Sequence, residues 1–176
     1  MLQPWRAEMK TSAYATSIMP PAPLSLSIGT VTVSFTWSGD RWSHRVSIAG
    51  GGTWESVEGP REDGDERWPA SPVLVELSRI DTAGGPAILG VGLAGRSHFS
   101  ASLGPDPSAA DGARFEIACR FNEPPVWLGS TYRGPAGTAV VRPGAEPQPP
   151  ATVQWAYRFG PGGLVACDRP GNRSDS

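Results

Sequence analysis

The chain has 176 residues, and its 22 glycines and 19 prolines make 41 of 176, about 23%, residues that interrupt regular structure. A hydrophobic content of 39% with seven Trp and a net charge of -2 excludes a disordered chain, which would be poor in aromatic residues. The 15 basic and 17 acidic residues provide no positive field for nucleic acid, and no run of about 20 apolar residues could cross a membrane. We therefore expect one folded domain of short elements, with neither nucleic acid nor membrane as a partner.

The first predicted elements form a hairpin. Val31 to Trp37 alternates apolar and hydroxyl-bearing residues, which is typical of a half-buried strand. Residues 38–41 have turn composition, and Trp42 to Ile48 alternates in the same way. The two strands are predicted to pair, with Trp37 and Trp42 facing each other across the end of the hairpin.

Further strand-like segments follow along the chain, each bounded by Gly, Pro or Asp. They are Trp54 to Val57, Val73 to Ile80, Ala87 to Leu103 with a break near Gly95, Arg114 to Phe121, Trp127 to Tyr132, and Thr152 to Phe159. Residues 58–66 carry five acids without apolar periodicity, and residues 133–150 carry five prolines, so both are predicted to be loops.

The pattern predicts an all-β fold of about eight or nine short strands in a single antiparallel β-sandwich or a closed β-barrel. The alternation of residues does not choose between these two architectures. We predict a loosely ordered N-terminal segment at 1–24, one all-β domain at 25–168 and a flexible C-terminal tail at 169–176.

A glycine motif lies in the middle of the chain. Residues 90–95 match the G-x-G-x-x-G spacing of dinucleotide-binding loops. Such a loop needs a following helix to hold the phosphate, whereas Ser97 to Leu103 alternates like a strand. The pattern favours small residues at a place where a strand bends or packs closely on its neighbour, and no cofactor is predicted.

The next motif, Arg96-Ser97-His98, has the residue types of a nucleophile and its base. Adjacent residues of a strand point to opposite faces, so Ser97 and His98 could not easily hydrogen-bond to each other. The alternation places Ser97 toward the core and leaves Arg96 and His98 on the polar face. No catalytic residue is predicted, and Arg96 and His98 are candidate ligand-binding residues.

Metal binding is limited by the supply of ligands. His44 and His98 are the only histidines, and their strand positions place them on opposite sides of a sheet. We predict no metal site, and we expect a buried His44 that donates a hydrogen bond to a backbone carbonyl. Cys119 and Cys167 are expected to be buried thiols in a reducing, cytoplasmic compartment.

Four of the tryptophans lie near predicted strand ends or loops, where a flat ring can stack on a ligand or a partner chain. They are Trp42, Trp54, Trp68 and Trp127. Packing in the core is the alternative for each. Trp42 and Trp127 join Arg96 and His98 as the candidate ligand-binding residues.

Four segments stand out when read together: FTWSGDRWSH at 35–44, WPASP at 68–72, GLAGRSHFS at 92–100 and LGSTY at 128–132. They resemble landmarks of small hypothetical all-β proteins from planctomycete-type bacteria, over Val31 to Tyr132. The resemblance implies a bacterial cytoplasmic setting and carries over no functional residue, cofactor or activity.

The informative residues are aromatic and structural, and they are not arranged as nucleophile, base and oxyanion donor. We therefore expect a non-enzymatic all-β binding or protein-interaction module, whose partner is a protein or a small molecule. One alternative is a small-molecule-binding β-barrel with Trp and Arg at its mouth, and a weaker one is a hydrolase or anion site around Arg96-Ser97-His98. A filled core with an exposed aromatic patch favours the module, whereas a cavity that holds Arg96 or His98 favours the alternatives.

Overall fold

The computed structural model describes residues 19–61, 64–144 and 147–167. These residues contain no helix and twelve strands, which span Leu24 to Cys167. The strands are β1 (Leu24–Ile28), β2 (Val31–Trp37), β3 (Trp42–Ile48), β4 (Gly52–Ser56), β5 (Glu76–Thr82), β6 (Gly85–Ala94), β7 (Ser97–Pro105), β8 (Ala113–Phe121), β9 (Ser130–Gly134), β10 (Gly137–Val141), β11 (Ala151–Gly160) and β12 (Gly163–Cys167). Most of the predicted N-terminal segment and the whole predicted tail at 169–176 lie outside the described residues.

The strands form two antiparallel sheets of six strands each. The first sheet has the order β1-β2-β3-β4-β9-β10, and the second has the order β12-β11-β8-β7-β6-β5. Neither sheet closes into a barrel, and the arrangement is sandwich-like. The all-β prediction is confirmed.

The local predictions succeed where one strand follows another across a short turn. The hairpin of β2 and β3 has the predicted bounds, and Trp37 pairs with Trp42 in register. Their rings meet edge to face, with centroids 5.5 Å apart. The long predicted segment at 87–103 divides into β6 and β7 at Gly95, which has a φ of 56° in the turn between them.

The prediction of eight or nine strands is too low, because it omitted β1, β10 and β12. Each of these strands has five residues and lies at a sheet edge, where a single neighbour supplies all the pairing. The loop predicted at 133–150 contains β10, since its prolines flank this strand without interrupting it. The predicted strand at 73–80 begins at Glu76, because the residues before it have another role.

That role belongs to the bridging segment, residues 68–75, which links the two sheets. The backbone NH of Trp42 donates to the carbonyl of Leu74, and the NH of Val75 donates to the carbonyl of Val91. The hydroxyl of Ser71 donates to the carbonyl of Thr131 at 3.1 Å. Most of the segment is buried, namely Trp68, Ala70, Ser71, Val73 and Leu74. It therefore fills part of the space between the sheets that strands alone would leave open.

The middle of the interior is filled with aromatic rings from both sheets. Phe115 stacks on Tyr157 with centroids 5.1 Å apart, and Phe159 meets Tyr132 edge to face at the same centroid distance. All four side chains are at most 2% exposed. This packing occupies the place where a barrel-type protein would hold its ligand.

Candidate functional site

The outer faces of the two sheets differ in chemistry. The first sheet carries mainly hydroxyl-bearing residues on its outer face: Ser25, Ser27, Thr32, Ser34, Thr36, Ser43, Ser47 and Thr53. Among them lies one exposed ion pair, between Arg45 and Glu55. This face carries a depression of about 560 Å³, but its lining is mainly hydroxyl-bearing with Arg45 and Glu55, so the face is polar and suited to contact with water.

The outer face of the second sheet carries an apolar ridge, which we define as Leu89, Val91 and Leu93 of β6. These side chains are 41%, 47% and 53% exposed, respectively. They are successive outward residues of one strand, so they form a continuous row about 14 Å long, at roughly 3.4 Å per residue. Contiguous exposed apolar side chains are typical of an interaction surface.

A groove runs beside the apolar ridge. Its floor is formed by small outward side chains of the next strands: Ser100, Ser102, Ala118 and Ala156. The register places Val91, Ser100, Ala118 and Gln154 on one line across four strands. The depression has a volume of about 330 Å³, within the range of about 300–1,000 Å³ that is usual for small-molecule sites.

One end of the groove is basic. Leu93 pairs in register with His98, and His98 pairs with Arg120. A second depression of about 410 Å³, lined by these three residues and by Glu76, shares Val91 and other residues with the first and continues it. His98 and Arg120 are exposed, and neither forms an ion pair with any of the described residues.

The other end of the groove is acidic, but its charge is compensated. Glu116 lies in register with Ser102, and the guanidinium of Arg114 donates to its carboxylate at 2.9 Å. The groove therefore has a free cationic end and a paired anionic end.

The glycines of β6 explain why its large residues face outward. A Cβ atom on Gly92 would lie 2.2 Å from the carbonyl oxygen of Val73 in the bridging segment. A Cβ on Gly90 would lie 3.2 Å from the side chain of Leu74. The inner side of β6 must therefore lack side chains at Gly90 and Gly92, which confirms the prediction of small residues at a close approach. A strand, β7, follows the glycine motif in place of the helix that a dinucleotide site would need.

Of the four candidate ligand-binding residues, His98 lines the groove. Arg96 lies two residues before it, exposed in the turn between β6 and β7, and lines neither depression. Ser97 is 1% exposed and points inward, as the alternation predicted. The sheet thus separates the hydroxyl of Ser97 from the imidazole of His98.

The two tryptophans of the candidate set do not line the groove. Trp42 is 5% exposed and belongs to the core. Trp127 is half-buried, with the guanidinium carbons of Arg61 and Arg142 lying 4.2 Å and 4.7 Å from its ring centroid. Its ring is therefore engaged in cation-π contacts within the chain.

A polar cluster inside the protein was not predicted. The imidazole Nε2 of His44 lies 2.7 Å from the hydroxyl of Tyr132, which lies 2.8 Å from the hydroxyl of Tyr157. The expected backbone carbonyl partner of His44 is therefore wrong, and a tyrosine hydroxyl takes its place. Burial lowers the pKa of His44 to about 3 and raises the pKa of Tyr157 to about 12.

Glu58 extends this cluster. The hydroxyl of Ser56 accepts from the backbone NH of His44 at 2.9 Å and donates to Glu58 Oε1 at 2.5 Å. Burial raises the pKa of Glu58 to about 7, and its Oε2 has no hydrogen-bond partner. The prediction of a solvated acidic loop is therefore wrong for Glu58. No pattern in the sequence distinguishes this acid from its neighbours.

Metal ligands, reactive cysteines and membrane-spanning helices are other features that could give the chain a function. Within 19–61, 64–144 and 147–167, no group of three or more His, Cys, Asp or Glu side chains is placed to hold a metal ion. Cys119 is a buried thiol, and burial raises its pKa to about 12, which makes it a poor nucleophile. Cys167 is only half-buried, so the expectation of a buried thiol is wrong for it. The described part of the chain also contains no helix that is long and apolar enough to span a membrane.

Comparison of the chain with protein-family models, with curated proteins and with solved structures finds no match.

Proposed function

We propose that this protein is a non-enzymatic binding module that binds its ligand on the outer face of the second sheet. The observation that carries the proposal is the difference between the two outer faces. One is covered with hydroxyl groups, and the other has an apolar ridge beside a groove with a small-residue floor. Exposed apolar area that is arranged as a ridge and groove is favourable only when something covers it.

The filled interior supports an external site. The aromatic rings between the sheets occupy the place where a barrel-type site would lie, so the small-molecule alternative moves from a barrel mouth to the sheet face. The separation of Ser97 from His98 removes the geometric support for a hydrolase at that motif. Two antiparallel sheets that pack as a β-sandwich would give the groove a rigid support.

A cytoplasmic setting remains part of the proposal. Cys119 is a buried thiol without a disulfide, which is the state that a reducing compartment maintains.

The test is the binding of a neutral apolar dye, N-phenyl-1-naphthylamine, to the folded protein. We expect saturable fluorescence enhancement for the wild type and a loss of about tenfold or more in affinity for Val91→Asp, because the variant places a charge in the middle of the apolar ridge. Ser34→Asp is the matched control, since it introduces the same charge on the outer face of the first sheet. Both variants should unfold at similar urea concentrations.

Two results would contradict the proposal. In one, the wild type does not bind the dye in its folded state. In the other, Val91→Asp and Ser34→Asp reduce binding equally, which would mean that the dye does not bind on the ridge.

A further inference from the structure

We infer that the ligand of this groove is a single-chain amphiphile with an anionic head group, whose chain lies along the apolar ridge and whose head group lies at His98 and Arg120. This inference depends on the proposed function, because it specifies the occupant of the same groove. It names a chemical class, and the shape, polarity and backbone pairing of the groove each support that class.

The shape of the groove fits a chain that lies parallel to the strands. The apolar ridge forms one wall over its full length, and Ser100 and Ala118 form a floor without large side chains. Gln154 and Thr152 lie on the far side, so the second wall is polar. The floor spans β7 and β8, so the depression is wide and shallow, and its apolar wall can cover one side of an alkyl chain along its length.

The charges give the groove a direction. His98 and Arg120 are register partners on adjacent strands, so their Cβ atoms lie roughly 5 Å apart and both side chains can reach one anion. Arg96 adds a third basic residue in the neighbouring turn. An arginine without an ion-pair partner can bind a carboxylate through two parallel hydrogen bonds.

The acidic residues near the groove agree with this direction. Glu116 lies at the opposite end and is paired with Arg114, so that end offers no free cation to an anionic head group. Glu76 of β5, in register with Val91, also lines the second depression, so one carboxylate lies near the basic end. Three basic residues, His98, Arg120 and Arg96 of the neighbouring turn, outnumber this carboxylate, so the end at Leu93 is the part of the groove that favours an anion.

The position in the sheet argues against a peptide strand as the occupant. The floor strands β7 and β8 are interior strands with pairing partners on both sides, so they have no free backbone edge for strand addition. A stable protein interface buries about 800 Å² on each partner. Three half-exposed side chains beside one groove form a smaller apolar surface than such an interface uses.

The experiment measures displacement of the neutral dye by three amphiphiles with the same chain: decanoate, decyltrimethylammonium and decanol. We expect decanoate to bind the wild type at least about tenfold more tightly than decyltrimethylammonium, a difference of about 1.4 kcal/mol. Arg120→Gln should remove most of this preference for decanoate over decyltrimethylammonium. Arg79→Gln is the control, because Arg79 pairs in register with the inward residue Ile88 and lies on the opposite side of the sheet from the groove.

The outcomes separate the two proposals. If the dye binds at the apolar ridge but the three amphiphiles displace it equally, the inference fails and the binding module stands. If Arg79→Gln and Arg120→Gln have the same effect, the preference is a general charge effect and the inference fails. If the wild type is a dimer that Val91→Asp dissociates, and decanoate does not compete, the face belongs to a second copy of the chain and the inference is overturned.

Discussion

Replacement of Glu58 by Gln should stabilise the protein at neutral and alkaline pH and leave its stability nearly unchanged at acidic pH. The pKa of Glu58 is raised from 4.5 to about 7 in the folded state, mainly because burial disfavours the charged form. The folded protein therefore holds the proton more tightly than the unfolded chain. The stability that comes from this proton is present below pH 4.5 and is lost as the pH rises through 7.

The size of the effect follows from this pKa shift. A difference of about 2.5 pH units corresponds to about 3 kcal/mol at 1.36 kcal/mol per unit, which is an upper limit for a group that keeps some contact with solvent. Gln resembles the protonated acid in shape, and its amide oxygen can still accept the hydrogen bond from Ser56. The variant should thus match the wild type near pH 4 and exceed its unfolding free energy by up to about 3 kcal/mol near pH 8.

His44 makes the stability depend on pH in the opposite direction. Its pKa is lowered from 6.5 to about 3, so the stability linked to its neutral form is present above pH 6.5 and is lost as the pH falls toward 3. Between pH 4.5 and 6.5 the contributions of His44 and Glu58 oppose each other in the wild type. Glu58→Gln should remove one of them and show a stability that rises with pH across this interval.

The assay is urea unfolding followed by tryptophan fluorescence at pH 4, 5.5 and 8 for the wild type, Glu58→Gln and Glu55→Gln. Glu55 is an exposed carboxylate paired with Arg45, and its replacement controls for the loss of one negative charge. If the stability difference between Glu58→Gln and the wild type is the same at all three pH values, the carboxyl is not buried as described and the reasoning is wrong.

Two further predictions concern packing and the internal cluster. Gly92→Ala should lower the unfolding free energy by about 1–3 kcal/mol, because the added Cβ would overlap the carbonyl of Val73. Gly84→Ala is the control and should change the unfolding free energy little, because the nearest contact of its Cβ is 3.7 Å away. Equal urea midpoints for the two variants would contradict the close approach at Gly92. Tyr132→Phe should cost about 1–3 kcal/mol, because it removes a hydroxyl that bonds to His44 and Tyr157, and Tyr157→Phe should cost a similar amount, because its hydroxyl bonds to Tyr132 and Ser130. Urea unfolding at pH 7 measures both costs, and an unchanged midpoint for Tyr132→Phe would contradict its place in the cluster.

The predictions from sequence succeeded where one strand contacts the next one along the chain. The hairpin of β2 and β3 could be predicted because its turn and its alternation are both local. The inward position of Ser97 followed from parity alone. The pairing of β4 with β9 could not be predicted, because no local signal relates strands that are separated by four others along the sequence.

The same distinction explains the candidate site. Arg96 and His98 could be proposed from residue type and from their alternation along the strand. The apolar ridge could not be predicted, because it lies within the glycine motif of β6. The alternation of Leu89, Val91 and Leu93 with small residues does not say which set faces the core. The bridging segment decides it, because Val73 approaches the backbone of β6 so closely that only glycine fits on the inner side.

The sequence by itself therefore determined that this chain is all-β, where most of its strands lie and which residues of a strand share a face, because a period of two is a property of the strand alone. Only the tertiary structure decided which face of β6 is covered, that His44 bonds to Tyr132, and that Ser56 links the backbone of His44 to Glu58. His44 and Tyr132 are 88 residues apart in the chain, and their hydrogen bond depends on the packing of strands that have no local reason to be neighbours.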